Sequence, residues 1–263
     1  MLAILRRPIL AKLVQRSQGV ARASLRPVSS STASPGLIEV REYYLKPEGM
    51  AEFVRLAQEF ADLRQELLPF LGMFTVDIGA LQKLTHFYAY KDFDERDAVR
   101  GAAAGHSGWR QYVQKSRPLV SHQTNKIMLE AGAVYQALGL PPAAQYKPPA
   151  NTAHTKVMYE LRSYQLHPGY GSVPKLVQAF AQGLPGKVAA DPEGQLVLFA
   201  HTDVGMLNNV VELWRYPSAQ ACIRARQAAR AVPGWKDTIA SVTPGVQHFT
   251  SEFMHPTAFS PWA

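Results

Sequence analysis

Cysteine is almost absent from this 263-residue chain, which contains only Cys222. A single cysteine excludes an internal disulfide framework and any zinc site built from several cysteines. The eight histidines lack the short spacings typical of metal ligands. Neither a phosphate-binding Gly-x-x-x-x-Gly-Lys-Ser/Thr loop nor a dinucleotide-binding Gly-x-Gly-x-x-Gly motif occurs. We therefore predict no metal and no cofactor.

Long hydrophobic runs and catalytic signatures are also missing. No stretch of 18 apolar residues occurs, so we expect no transmembrane segment, and peripheral contact with a membrane stays open. Residues 105–109, Gly-His-Ser-Gly-Trp, approach the Gly-x-Ser-x-Gly motif of hydrolases but lack its last glycine and the strand that precedes it. The sequence therefore gives no direct sign of an enzyme.

Acidic residues are absent before Glu39, although six of the 28 basic residues lie in that stretch. They are Arg6, Arg7, Lys12, Arg16, Arg22 and Arg26. Cations interleaved with leucines and hydroxyl residues are typical of a mitochondrial presequence, which we assign to residues 1–36, with a disordered basic tail as the alternative. We expect a matrix or inner-membrane-associated protein. The remaining 22 basic and 20 acidic residues leave a charge of only +2, so no nucleic-acid partner is predicted.

The chain contains an internal duplication. Residues 39–47 read EVREYYLKP and residues 160–168 read ELRSYQLHP, 121 positions later. A second set of matches, at a constant offset of 126, includes Gly79 with Gly205 and Trp109 with Trp235. We therefore divide the chain into repeat 1 at residues 37–137, a proline-rich linker at residues 138–156, and repeat 2 at residues 157–263.

Each repeat shows the pattern β-α-β-β-α-β of a ferredoxin-like unit, in which both helices pack on one face of an antiparallel sheet. Two such units can close an eight-stranded barrel with the helices outside. We therefore predict an α+β fold, a dimeric α/β-barrel formed within one chain. From the alternation along the strands we predict that the polar residues point into the barrel interior. The residues predicted to face the helices are Val40, Phe87, Leu161 and Leu213. A shift of one residue in the strand register would reverse this assignment.

These residues resemble the NIPSNAP family. The resemblance rests on a Tyr/Phe-Glu-x-Arg-x-Tyr-type strand that opens each repeat, on Tyr44-Leu45-Lys46-Pro47, and on the closing residues 257–261, Thr-Ala-Phe-Ser-Pro. It is strongest to the third NIPSNAP homologue subgroup. The first strand departs from the pattern, because Ile38 precedes Glu39 where an aromatic residue is usual. The resemblance implies a tandem α/β-barrel, a mitochondrial address, autophagy or trafficking factors as protein partners, and no established reaction.

Charged and aromatic residues of the predicted barrel interior are the candidate ligand-binding site. They are Glu39, Arg41, Tyr43, His86 and Tyr88 in repeat 1, and Glu160, Arg162, Tyr164, Glu212 and Trp214 in repeat 2. They could line a pocket for a small polar or aromatic ligand. The preferred alternative is that Glu39–Arg41 and Glu160–Arg162 are buried ion pairs that satisfy each other. His86 could act as a general base, but a satisfied core histidine is the preferred interpretation.

Taken together, the sequence predicts a non-enzymatic mitochondrial interaction protein, with a role in mitophagy signalling or vesicular transport implied by the family resemblance. The alternative is a small-molecule binder or a cofactor-free, monooxygenase-like enzyme that uses the barrel interior. No catalytic residue is assigned, and self-association into a homo-oligomer is left open. The duplication directs attention to the position where the copies differ, His86 against Glu212.

Overall fold

A computed structural model of the chain describes residues 36–150 and 155–263. The predicted presequence therefore lies outside the described residues, apart from Gly36. None of the described helices is both long enough and apolar enough to cross a membrane.

The first repeat folds as four strands whose helices lie between β1 and β2 and between β3 and β4. The elements are β1 (Leu37–Leu45), α1 (Met50–Glu59), α2 (Ala61–Leu67), β2 (Phe70–Ile78), β3 (Lys83–Tyr90), α3 (Phe93–Gly105), α4 (Ser107–Ser116) and β4 (Val120–Glu130). Asp92 starts α3, because its side chain accepts a hydrogen bond from the Glu95 amide at 2.9 Å. Helix α3 ends at Gly105, where the glycine-rich sequence weakens helix propagation.

The second repeat has the same order after a short helix, α5 (Gly132–Leu138). Its elements are β5 (Met158–Leu166), α6 (Ser172–Ala190), β6 (Gln195–Val204), β7 (Asn209–Tyr216), α7 (Ala219–Ala231), α8 (Pro233–Val242) and β8 (Val246–Pro256). The single helix α6 replaces α1 and α2, which are separated at Phe60. The five-residue change of offset between the repeats therefore falls in this helical region or its flanking loops.

The eight strands close into one barrel in the order β1-β3-β2-β8-β5-β7-β6-β4, and every neighbouring pair is antiparallel. The two repeats meet at β2–β8 and at β4–β6. Each repeat alone would leave two sheet edges with unpaired backbone groups, and the closed barrel pairs them. The predicted α+β barrel of two ferredoxin-like repeats is confirmed.

The barrel interior is filled by apolar side chains from all eight strands. Its buried cluster includes Val40, Phe87, Leu161, Leu213 and Met254. Trp262, from the end of the chain, belongs to the same cluster and is only 1% exposed. The predicted linker contributes as well, because Ala143 is buried in this cluster and Tyr146 packs against it. The interior is therefore a packed core.

The predicted orientation of the strand faces is wrong. Val40, Phe87, Leu161 and Leu213 point into the barrel, and all ten candidate site residues lie on the opposite face, under the helices. The physical reason is that a closed eight-stranded barrel must fill its interior with side chains, and apolar residues do so without unpaired charge. On the helix-facing side, arginine and tyrosine can pack their apolar parts while their polar ends reach partners within the same layer.

Candidate functional site

Each repeat brings five of the predicted residues together on one sheet face. In repeat 1, Arg41 of β1 lies opposite His86 of β3, and in repeat 2, Arg162 of β5 lies opposite Glu212 of β7. The two groups belong to separate helix-covered layers, because their side chains contact the helices of their own repeat. The structure therefore contains two related sites instead of one interior site.

The Glu39 carboxylate is a shared hydrogen-bond acceptor in the repeat 1 site. It accepts hydrogen bonds from Arg41 (2.9 Å), Arg96 (3.0 Å), Arg100 (2.7 Å) and Asn125 (3.1 Å). Burial opposes ionisation of this carboxyl, but the neighbouring guanidinium groups outweigh that cost and lower its pKa to about 2. One carboxylate therefore neutralises part of the charge of three arginines.

The Glu160 carboxylate has the same place in repeat 2. It accepts hydrogen bonds from Arg162 (2.8 Å), Arg226 (2.7 Å) and Ser251 (2.8 Å). Burial opposes its ionisation as well, and the arginines again lower its pKa to about 2. The Cys222 thiol lies 3.3 Å from this carboxylate, and burial together with that negative charge raises the pKa of the thiol to about 12.

Glu212 is a second, fully buried carboxylate in repeat 2 (0% exposed). It accepts hydrogen bonds from the Tyr164 hydroxyl and from the Trp214 indole nitrogen, both at 2.6 Å. The ammonium of Lys187 lies 3.7 Å from it and Nε of Arg162 lies 3.9 Å from it. The charge at this position is therefore compensated within the repeat.

His86 replaces this carboxylate in repeat 1. Its imidazole is 1% exposed, and neither ring nitrogen has a hydrogen-bond partner among the described residues. Burial, followed by the positive charges of Arg64, Arg41 and Arg100, lowers the pKa of His86 well below its usual value. The ring is therefore neutral at physiological pH and supplies no negative charge to its neighbours.

Arg64, on α2, is the buried cation that faces this position in repeat 1. Its side chain is 2% exposed, and Nη1 donates to the Tyr88 hydroxyl at 2.6 Å. Its guanidinium lies over the rings of Phe70, Trp109 and Tyr112 at 5.5, 5.1 and 5.0 Å. Nε and Nη2 have no hydrogen-bond partner within residues 36–150 and 155–263.

Lys187 of α6 is the counterpart of Arg64. It lies 3.7 Å from the ring centroid of Trp214 and 5.0 Å from that of Trp235, the residue equivalent to Trp109. Lys187 is thus placed between aromatic rings as Arg64 is, but it also has the Glu212 carboxylate as an ion-pair partner. The two repeats share one arrangement and differ in whether the buried cation is neutralised.

An open cavity of about 530 Å³ leads to the Arg64 side chain. Four arginines and four aromatic residues line it, together with small, apolar and amide side chains and one histidine, and no carboxylate is among them. The lining residues are Arg41, Tyr43, Arg64, Tyr88, Arg100, Trp109, Tyr112, Val113, Ser116, Arg117, Val120, Ser121, His122 and Gln123. Such a surface attracts negative charge and offers aromatic walls for an apolar body.

A cross-strand difference explains why the site in repeat 2 is covered at this point. Phe249 of β8 lies opposite Tyr164, and their rings stack with centroids 5.7 Å apart. In repeat 1 the residue opposite Tyr43 is Gln123, which lines the cavity. The stacked phenylalanine therefore covers Tyr164, whereas the glutamine leaves Tyr43 open.

The strand residues of both sites were predicted, but their helical partners were not. The missed residues are Arg64, Arg96, Arg100, Lys187 and Arg226. The offset of 126 relates Arg100 to Arg226, so the duplication itself carried a signal for that pair. No group of three or more histidine, cysteine, aspartate or glutamate residues in the described ranges could hold a metal ion.

The fold and the paired helix-covered sites define a tandem ferredoxin-like α/β-barrel protein. The sequence profile of the NIPSNAP family matches residues 38–133 and 159–261, so the chain belongs to the NIPSNAP family. Human protein NipSnap homolog 3A is 28% identical over 95% of this chain and 99% of its own length. Mouse NipSnap homolog 3B is 26% identical over 85% of this chain and 84% of its own. The predicted likeness to the third subgroup is confirmed.

Solved structures extend the likeness at the level of fold. A candidate monooxygenase from Lactobacillus acidophilus superposes with a TM-score of 0.59 at 10% identity, covering 85% of this chain and 95% of the bacterial one. An anthrone oxidase-like protein gives a TM-score of 0.51 at 11% identity, covering 84% and 91%. At these identities the comparison supports the barrel architecture and carries no activity over to this chain.

Proposed function

We propose that repeat 1 binds a small organic anion in the cavity that leads to Arg64. The observation that carries this proposal is the Arg64 guanidinium, 2% exposed, with Nε and Nη2 unpartnered and no carboxylate in ion-pair contact in the described part of the chain. A buried charge without an opposite charge is unfavourable by several kcal/mol. An anion bound in the cavity would reduce that cost by compensating the charge.

The charge balance of the repeats supports the same conclusion. In repeat 2, two carboxylates, Glu160 and Glu212, face Arg162, Lys187 and Arg226. In repeat 1 the only carboxylate in the equivalent layer of the described chain is Glu39. Repeat 1 is therefore more positive at the site than its own duplicate, and the cavity gives an external anion access to that charge.

Binding is favoured over acid–base catalysis by the state of His86. The neutral imidazole is buried beneath Tyr43, with ring centroids 4.7 Å apart, and it is not among the residues that line the cavity. A general base must reach the proton that it removes. We therefore propose a binding function for this site and assign no catalytic residue.

The test is the effect of anions on the full chain. Isothermal titration with phenylacetate, inorganic phosphate and the neutral analogue phenylacetamide should detect binding of an anion but not of phenylacetamide. At a concentration about 100 times the Kd, the bound anion should raise the free energy of unfolding by about 2.7 kcal/mol. Arg64→Met should abolish this stabilisation.

A matched control removes a different arginine of the same region. Arg55 lies on α1, is exposed, and pairs with Glu52 and Glu59 on the helix surface. Arg55→Met should leave anion binding unchanged, because this cation does not contact the cavity. Equal loss of binding in both variants would mean that only overall charge matters, and the absence of any anion binding to the folded wild-type chain would refute the proposal.

We propose further that the chain is a mitochondrial interaction protein, as its sequence predicts. The support is the group of six cations before the first acidic residue, together with membership of the NIPSNAP family. A role in mitophagy signalling or vesicular transport is the corresponding proposal for its partners. Fusion of residues 1–40 to a fluorescent reporter tests the address, and a cytosolic reporter would contradict it.

A further inference from the structure

We infer that repeat 2 contains a built-in substitute for the ligand: the ligand of repeat 1 is a carboxylate that neutralises Arg64 from the cavity, as the Glu212 carboxylate neutralises Lys187 within repeat 2. This inference rests on the anion-binding function proposed above. It narrows the ligand class from any small anion to a carboxylic acid with an aromatic or apolar body.

The first step is the equivalence of the two positions. Arg41 pairs across the sheet with His86 as Arg162 pairs with Glu212. Nε of Arg41 donates to the Tyr43 hydroxyl at 3.2 Å, and Nε of Arg162 donates to the Tyr164 hydroxyl at 2.9 Å. The two layers therefore share this strand pairing and this arginine–tyrosine hydrogen bond, and at the position opposite the arginine repeat 2 has a carboxylate where repeat 1 has an imidazole.

The second step is the set of donors that surrounds the carboxylate. Glu212 receives the Tyr164 hydroxyl and the Trp214 indole nitrogen, with Lys187 at 3.7 Å as the neighbouring cation. The equivalent groups of repeat 1 are the hydroxyls of Tyr43 and Tyr88 and the guanidinium of Arg64. All three of these residues line the cavity. Repeat 1 thus keeps the donors and lacks the acceptor.

The third step is the geometry of the free donors on Arg64. Nη1 is already used by Tyr88, so the unpartnered atoms are Nε and Nη2. These two nitrogens form one edge of the planar guanidinium, and their parallel N–H bonds match the two oxygens of a carboxylate. Glu212 is itself a carboxylate held by donors on both oxygens, which makes a planar monoanion the matching ligand group.

The fourth step concerns the body of the ligand. Besides Arg64, the cavity is lined by Trp109, Tyr112, Val113 and Val120. These side chains offer ring faces and methyl groups, and the cavity volume of about 530 Å³ exceeds what a carboxylate alone would fill. A carboxylic acid with an aromatic or branched apolar body therefore suits the whole cavity, whereas inorganic phosphate has no apolar part to pack against these side chains.

The test is a substitution that gives repeat 1 a carboxylate of its own. In His86→Glu the new carboxylate lies where Glu212 lies in repeat 2, so it should pair with Arg64 and exclude the ligand. We expect the affinity for phenylacetate, measured by isothermal titration, to fall at least about tenfold, and the urea midpoint without ligand to rise. His86→Gln introduces a side chain of nearly the same shape as glutamate but without its charge, so phenylacetate binding should stay within about twofold of wild type.

The outcomes separate this inference from the proposed function. If wild type and His86→Glu bind phenylacetate equally, the ligand carboxylate does not take the role of Glu212 beside the buried cation and the inference fails, while anion binding stands. Tighter binding of phosphate than of phenylacetate by wild type would also overturn it. If neither wild type nor His86→Gln binds any anion, the proposed function itself fails.

A milder variant covers the case in which His86→Glu does not unfold cooperatively. Tyr43→Phe removes the hydroxyl equivalent to the one that Tyr164 donates to Glu212. A hydrogen bond to a charged group contributes about 1.5–3 kcal/mol, so phenylacetate affinity should fall about tenfold or more. An unchanged affinity in this variant would contradict the inferred contact between the ligand carboxylate and the Tyr43 hydroxyl.

Discussion

Replacing each of the two buried cations by methionine should have different effects on stability. Lys187→Met removes the ammonium 3.7 Å from a fully buried carboxylate, Glu212. Loss of one partner of a buried ion pair is unfavourable by about 3–5 kcal/mol, because the other charge is left in a poorly polarisable environment. Arg162, at 3.9 Å, still compensates part of that charge. We therefore expect destabilisation near the lower limit, about 3 kcal/mol.

Arg64→Met removes a cation that has no carboxylate partner. The variant loses the hydrogen bond to Tyr88, about 1.5–3 kcal/mol for a charged donor, and the contacts with three aromatic rings. It regains the several kcal/mol needed to bury an unpaired guanidinium, and methionine packs well against aromatic rings. The opposing contributions should leave the free energy of unfolding within about 1 kcal/mol of wild type.

The assay is equilibrium unfolding in urea at pH 7 in a buffer without carboxylates or phosphate, followed by circular dichroism and tryptophan fluorescence. Coincident transitions and equal m-values are needed before the two free energies are compared. The expected result is that Lys187→Met is at least about 2 kcal/mol less stable than Arg64→Met. A loss of about 3 kcal/mol or more in Arg64→Met would refute the reasoning, because it would mean that the charge of Arg64 is already compensated in the ligand-free chain.

Three further perturbations test the rest of the fold by urea unfolding. Stability should fall as the pH drops from about 4.5 to about 2, because the pKa values of Glu39 and Glu160 are lowered in the folded chain. Each carboxylate stabilises the fold by about 3 kcal/mol above this pH range, and this contribution is lost as the carboxylate is protonated. Replacing both residues with glutamine should flatten the pH profile, and an unchanged slope would contradict this explanation. Gly183→Ala should be destabilising by about 1–3 kcal/mol, because the added Cβ would lie 2.1 Å from a threonine oxygen of α8. Its control, Gly186→Ala, with 3.5 Å of clearance, should be neutral or stabilising by up to about 1 kcal/mol. Trp262→Ala should cost about 3–5 kcal/mol, and a value under 1 kcal/mol would show that the chain end is not part of the core.

The fold could be predicted because the duplication means that two separate sequence segments indicate each strand and helical region. Gly79 and Gly205 both end a strand with a positive φ, and each lies at a hairpin between strands of the same repeat. Trp109 and Trp235 then fix the second helical region of each repeat at the same offset. When a β-α-β-β-α-β unit occurs twice, a closed barrel is the arrangement in which the free sheet edges of both units pair with each other.

The orientation of the strand faces could not be read in the same way. Both faces of these strands are buried, one in the barrel and one under the helices, so neighbouring residues such as Glu39 and Val40 are equally inaccessible. Alternation then shows which residues share a face but not which face is inside. Tyrosine and arginine add to the ambiguity, because their apolar parts pack in a core while their polar ends need partners.

The helical half of the site was missed for a related reason. Arg64 and Lys187 are 123 positions apart, a spacing that matches neither the offset of 121 nor that of 126. Their relation depends on the break between α1 and α2, which α6 lacks, so it becomes visible only through shared aromatic neighbours. The contrast between His86 and Glu212, by comparison, was accessible from the sequence and lies at the centre of the difference between the repeats.

The architecture explains how one repeat could become a binding site while the other remained closed. The barrel interior and the β2–β8 and β4–β6 seams require residues from both repeats, so a change there affects both halves. The surroundings of each buried cation, by contrast, come from a single repeat: Arg64 contacts Tyr88 and Trp109 in one, and Lys187 contacts Trp214 and Trp235 in the other. Where one such layer has no carboxylate beside its buried cation, an external anion could neutralise that cation without disturbing the closure on which both repeats depend.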